Sequence, residues 1–213
     1  MRWNSYLLLA GAVLSAIFVP TVASAQDAGD FLIRLRAIGV MPDAKGTTNT
    51  LGGMAYVRTE YSPEIDFTYF FTDNIAAELA VSTSNHHVEL RNSTIGTLDL
   101  GDVRLVPVTA ILQYRFRPDP RLSPYLGVGL NYLIAADESA GSSITSISYS
   151  NGFGFAFQAG ADLVFDNNWS FNLDVKKLLT ATDVSINGGA ITAKGTDINP
   201  WIVGVGVGYT ISP

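Results

Sequence analysis

From Phe31 onward, the apolar residues of this chain recur at every second position in runs too short to form membrane-spanning helices. "FLIRLRAIGV" sets Phe31, Ile33 and Leu35 on one face and Arg34 and Arg36 on the other. "EIDFTYFF" sets Ile65, Phe67, Tyr69 and Phe71 against Asp66 and Thr68, and "IAAELAVS" opposes Leu79 to Glu78. "VTAILQYRF" follows the same rule, with Leu112, Tyr114 and Phe116 opposed to Gln113 and Arg115. "YLGVGLNYLI", "FGFAFQAGADLVF", "WSFNLDVKKL" and "WIVGVGVGYTI" complete the set. A period of two is that of a strand whose faces meet different surroundings. These eight segments run roughly 8–13 residues, close to the ~9–11 that a tilted strand needs to cross a bilayer.

Composition narrows what such strands can build. Cysteine is absent, so neither disulfides nor thiolate metal sites are available. Lys and Arg number 13 against 19 Asp and Glu, a net charge of −6 without any basic run, which argues against nucleic-acid partners. Residues 1–25 carry Arg2, the apolar core "YLLLAGAVLSAIFVP" and "ASA" ending at Ala25. That is the pattern of a secretory signal peptide cut before Gln26, leaving 26–213 as one exported domain.

The connectors alternate as the strands do. "TDN", "RPDPRLSP" and "DNN" are short, whereas the stretches near 41–63, 83–104, 135–151 and 180–198 are long and rich in Gly, Ser, Thr and Asn. Short periplasmic turns and long extracellular loops mark an eight-stranded antiparallel transmembrane β-barrel, all-β, in a Gram-negative outer membrane. Aromatics agree with this. Tyr69, Phe71, Tyr114, Phe116, Phe165, Trp169, Phe171 and Tyr209 gather at the short-turn ends on the apolar parity, and Tyr132, Phe153, Phe155 and Trp201 at the other ends. Two aromatic bands are what the two membrane interfaces favour. The competing architecture is a soluble barrel with its apolar face inward. Against it, the polar parity also carries Gly127, Gly129, Gly154, Gly160, Gly204, Gly206 and Gly208, which suit a crowded interior better than a wet exterior. The terminal "GVGVGY" is no phosphate cradle, because only five residues follow Gly208 and no helix can form there.

"LGGMAYV", "FTYFFTDNIAAELAV", "SPYLGVGLNY", "FQAGADLVFDNNWSFNLDVKKL" and "DINPWIVGVGVGY" together resemble the OmpW family of outer-membrane proteins, the AlkL-type importers among them. The resemblance covers nearly the whole chain after residue 25. It implies an eight-stranded barrel that passes small hydrophobic molecules passively across the outer membrane. Two departures stand out. The chain continues past Tyr209 to "TISP", where the family ends in an aromatic read by the barrel-assembly machinery, and Lys176 points into a lumen that the family keeps largely apolar.

The inward charges are Arg34, Arg36, Arg115 and Lys176 against Asp66, Glu78, Asp162 and Asp174. With Gln113 and Asn172, they are expected to form a polar plug in the lower lumen, because buried charges persist only when paired. A closed floor directs an apolar solute sideways, and Pro107 marks a candidate lateral gap, since proline removes a ladder donor. The alternative for Pro107 is a bulge, or a position above the lipid where proline is harmless. Leu51, Met54, Tyr56, Ile144 and Ile147 are candidates for collecting solute at the outer mouth.

His86, His87 and Glu89 in "NHHVEL" offer at most two ligands on one strand face, too few for a zinc site. No catalytic motif is present. No enzyme, metal or other cofactor is therefore expected. Expected partners are outer-membrane lipid and lipopolysaccharide, small hydrophobic solutes and the assembly machinery, with the chain a monomer. The second function class is a structural or receptor barrel whose loops bind phage or bacteriocins without transport.

Overall fold

The computed structural model describes residues 26–42, 54–94, 96–142, 146–186, 191–197 and 199–213. The expected signal peptide, residues 1–25, lies outside them, as do Leu51 and Ile144. The strands are β1 (Phe31–Met41), β2 (Met54–Val57), β3 (Glu60–Phe70), β4 (Ile75–Ser82), β5 (Ser84–Ser93) and β6 (Gly96–Arg115). They continue with β7 (Leu122–Ala140), β8 (Ile147–Tyr149), β9 (Gly152–Val164), β10 (Trp169–Ile186), β11 (Ile191–Asp197) and β12 (Trp201–Ile211). Antiparallel pairing runs β1–β3–β4–β6–β7–β9–β10–β12 and returns to β1, so an eight-stave barrel closes on itself and has no free edge across the membrane.

Exposure decides which face is inside. Leu35 and Val128 are each 58% exposed, whereas Arg34 and Arg115 are wholly buried. An apolar belt of that extent on the outer wall is incompatible with a soluble barrel and is what lipid requires. Both aromatic bands lie on this outer wall. Tyr69 and Phe71, Tyr114 and Phe116, and Trp169 and Tyr209 meet edge to face within the lower band. In the upper band, the Lys177 ammonium sits 5.0 Å from the Trp201 ring.

The staves are longer than hydrophobic alternation suggests. β6, β7 and β10 reach 20, 19 and 18 residues, so the stretch at 83–104, read as loop, is instead the β5–β6 hairpin. β2 pairs with β5, and β8 and β11 pair with the upper part of β10. Above the lipid the outward face is wet, and Asn85, Asp102 and Arg104 stand there opposite buried Ser84, His86, Val103 and Leu105, so apolar residues no longer mark the outer side. The ladder therefore continues on backbone hydrogen bonds while the alternation that reveals a strand disappears.

Glycine makes room where the interior is most crowded. A Cβ on Gly206 would stand 2.5 Å from the Leu35 carbonyl oxygen and 2.7 Å from Arg36 Cγ. On Gly208 it would meet Arg34 Cγ at 2.8 Å. The bare face of β12 is thus the bed on which the arginine stems of its neighbour β1 lie.

Candidate functional site: a plugged lumen and an interrupted seam

The lumen is layered. At the periplasmic floor, Leu32, Phe70 and Ala76 form a small apolar cluster. The N-terminal segment is tied to it, with Gly29 N donating to the Phe70 carbonyl and Phe70 N to that of Asp30. The Arg115 guanidinium lies 5.0 Å over the Phe70 ring and 4.6 Å over that of Tyr125.

Above the floor sits the polar plug. Arg34 donates from Nε to Asp66 Oδ1 at 2.8 Å, from Nη1 to Asp162 Oδ2 at 3.0 Å, and from Nη2 to Thr68 Oγ1 at 2.9 Å and to Glu78. Arg36 donates to Asn172 Oδ1 and to Glu64 Oε1, each at 2.8 Å, and to Glu78 Oε2 at 3.2 Å. Glu78 also accepts from Gln113 at 2.7 Å and from Gln158 at 3.0 Å, which makes it the hub. Arg115 bridges Ser123, Gln113 and Asp162. Asn172 donates to Asp162 at 2.6 Å. Tyr125 Oη donates to Asp174 at 2.7 Å, and Lys176 pairs with Glu64 at 2.5 Å.

Every sequence-predicted plug residue is buried, and all ten join this one network: Arg34, Arg36, Asp66, Glu78, Gln113, Arg115, Asp162, Asn172, Asp174 and Lys176. The balance of four charges of each sign needs correction, because Glu64 adds a fifth carboxylate. Glu64, Thr68, Ser123, Tyr125 and Gln158 are further members that the plug reading omits. Each shares the inward parity of a recognised neighbour: Glu64 and Thr68 that of Asp66, Ser123 and Tyr125 that of Gly127, and Gln158 that of Gly160.

Over the plug lies an apolar ring of Ile38, Val40, Ile111, Ala156, Leu178 and Ile202. Lys176 does not interrupt it, because its ammonium bends to Glu64 in the network. Higher still, Thr109 donates to Asn131 at 2.9 Å, and Asn131 to Thr180 at 3.1 Å.

The wall is interrupted at one level. Pairing between β4 and β6 stops at Val81↔Val108, and that between β5 and β6 resumes at Ser84↔Leu105. Ser82 and Thr83 therefore face Val106 and Pro107 without a ladder partner there. On the other flank, β3–β4 pairing ends at Glu64↔Ser82, next to Pro63, a second residue without an N–H. The Thr83 carbonyl accepts the Ser62 hydroxyl instead of a ladder N–H. Val108 pairs with Tyr132, so the interruption lies at the outer aromatic band.

The adjacent histidines separate. His86 turns into the lumen, 3% exposed. His87 turns outward, its Nδ1 3.0 Å from Asp102 Oδ1 and its Nε2 3.6 Å from Glu89 Oε1. The Arg91 hydrogen bond holds the Glu89 carboxyl below its ordinary range. Among the described residues, no group is arranged to hold a metal ion. Met54 and Tyr56 fall in β2 and Ile147 in β8.

The sequence and the eight-stave wall both match a known family. A model of the OmpW family covers residues 27–211. The chain belongs to the OmpW family. An uncharacterized outer-membrane protein of Sinorhizobium fredii is 33% identical to this OmpW-family chain, spanning 93% of the chain and 90% of the relative. Outer membrane protein W of Vibrio cholerae is 31% identical, over 93% and 95% respectively. The crystal structure of OprG from Pseudomonas aeruginosa superposes with a TM-score of 0.82 at 28% identity, covering 90% of this chain and all of that one. This OmpW-family protein is an outer-membrane β-barrel of a Gram-negative bacterium.

Proposed function

We propose that the barrel is a passive channel for small hydrophobic molecules, which descend from the outer mouth and leave sideways into the outer leaflet beside Pro107. The observation carrying this reading is the interrupted seam at Ser82–Thr83, which opens above a floor that offers no aqueous route. Side chains alone fill the interior of an eight-stave barrel, and here the filling is a hydrogen-bonded charge network that an apolar solute has no reason to enter. The apolar ring above it is a suitable resting surface for such a solute. Backbone groups left unpaired in lipid are costly, so a gap at this height points to a use. The solute undergoes no chemistry on this path.

The test is uptake of a hydrophobic solute into vesicles containing the purified barrel. Pro107→Val is expected to restore ladder pairing between β4/β5 and β6 and to slow uptake several-fold. Unchanged uptake by a correctly folded variant refutes lateral exit. Uptake equal to that of protein-free vesicles refutes the channel and leaves the receptor reading.

A further inference from the structure

The inner wall above the interrupted seam is chemically two-sided. On one side, the inward residues of β3, β4 and β5 are Ser62, Ser82, Ser84 and His86, all buried. On the other, β6 and β7 present Val103, Leu105, Pro107 and Leu133. A path for featureless hydrocarbon has no need of a polar wall, and burying one against an alkane costs free energy.

His86 is the informative member. One ring nitrogen is committed, with Nε2 2.8 Å from Ser84 Oγ. The other, Nδ1, is buried and has no hydrogen-bond partner. Buried polar atoms are nearly always satisfied, and an exception of this kind asks for an explanation. The lumen already has a pattern for satisfied polar residues at the neighbouring level, in the Thr109–Asn131–Thr180 chain. His86 departs from it.

We propose that His86 Nδ1, backed by Ser84, is the subsite for a single uncharged oxygen on an otherwise apolar solute, of the alcohol or ketone class. This inference rests on the channel reading and names its substrate class. The Ser84 hydroxyl can rotate, and the ring can exchange tautomers, so Nδ1 either donates or accepts. Both a hydroxyl and a carbonyl oxygen are accommodated. An anion is disfavoured on two grounds. Burial pushes the His86 ring below its ordinary pKa, outweighing the Glu60 carboxylate on β3 and the Arg58 backbone, which favour its charged form, and the Glu60 charge itself repels an anion. The apolar wall of Leu105, Pro107 and Leu133 receives the hydrocarbon tail and leads it to the seam. Sites built around a hydrogen bond reject analogues that lack the group, because the site's own polar atom is then left unpaired.

The experiment compares fluxes of radiolabelled 1-octanol, 2-octanone and n-octane into vesicles whose outer leaflet is lipopolysaccharide, with the full mature barrel inserted. Folding of each variant is checked by heat-dependent gel mobility. His86→Leu is expected to lower octanol and octanone flux about fivefold, the scale of one neutral hydrogen bond, while octane flux is unchanged or higher. His86→Asn, which keeps a hydrogen-bonding group, restores most of the loss, and Ser84→Ala reproduces part of it. His87→Leu, on the outer face, leaves all three fluxes as they were. Equal loss of all three fluxes in folded His86→Leu, or no loss of any, overturns the subsite while protein-dependent octane flux keeps the channel. Octane flux independent of the protein overturns the channel, and the subsite with it.

Discussion

Removing Arg34 tests whether the plug holds the barrel together. The guanidinium is wholly buried and contacts three carboxylates from three different staves, Asp66 on β3, Glu78 on β4 and Asp162 on β9. Arg34→Ala leaves Arg36, Arg115 and Lys176 to face Glu64, Asp66, Glu78, Asp162 and Asp174. Breaking a buried ion pair by deleting one partner costs roughly 3–5 kcal/mol, since the remaining charge stays desolvated. With a urea slope near 2 kcal/mol per molar, the unfolding midpoint in lipid vesicles falls by about 2 M. Arg104→Ala is the control, because its ion pair with Asp137 is 48% and 70% exposed on the two partners, and such pairs contribute about 0–1 kcal/mol. Asp162→Ala should resemble Arg34→Ala. Tryptophan fluorescence follows unfolding, and the heat-dependent gel shift confirms that each variant inserts. A midpoint for both Arg34→Ala and Asp162→Ala within that of the Arg104 control would show that the plug does not stabilise the fold.

Two further outcomes are expected. Gly206→Val should destabilise the barrel by about 3 kcal/mol through overpacking, because no space exists for its Cβ beside Leu35 and Arg36; an inserted, fully heat-stable variant would contradict this. His86 has a depressed pKa in the folded state, so the unfolded chain binds its proton more readily. Stability should therefore fall as pH drops through the ordinary histidine range, and His86→Asn should show a shallower fall in vesicle unfolding between pH 7 and 5.

The spanning part of the barrel is legible because lipid and lumen impose opposite chemistry on alternate residues, and each charged residue in a stave announces its own side. Leu35 beside Arg34 and Arg36 is enough to orient β1. The extracellular hairpins leave no such mark. In "GTLDLGDVRLV", Asp99 and Asp102 fall on opposite parities, so the long β6 is invisible to periodicity although it pairs with β5 and β7 through register shifts near Gly101 and at Arg104/Leu105. Tyr125 is hard to read because most aromatics in this chain mark the lipid side, whereas this one, like Phe70, turns inward and offers its face to Arg115 and, in its own case, to Arg34. Pro107 could be read as a break in pairing, but Pro63 on the opposite flank becomes relevant only once the register aligns it with Thr83. The spare nitrogen of His86 depends on three-dimensional packing and has no counterpart in the sequence.

The plug also bears on how the barrel can be made. Arg34 and Arg36 leave from the first stave, yet their partners come from β3, β4, β9 and β10, and the surface they rest on is the last stave, β12. A partly assembled sheet of β1, β3 and β4 would offer the arginines Glu64, Asp66 and Glu78 but neither Asp162 nor Asn172, in a medium that offers no water to replace them. The contacts to Asp162 on β9 and Asn172 on β10 form only when β12 meets β1, so closure of the barrel completes the network.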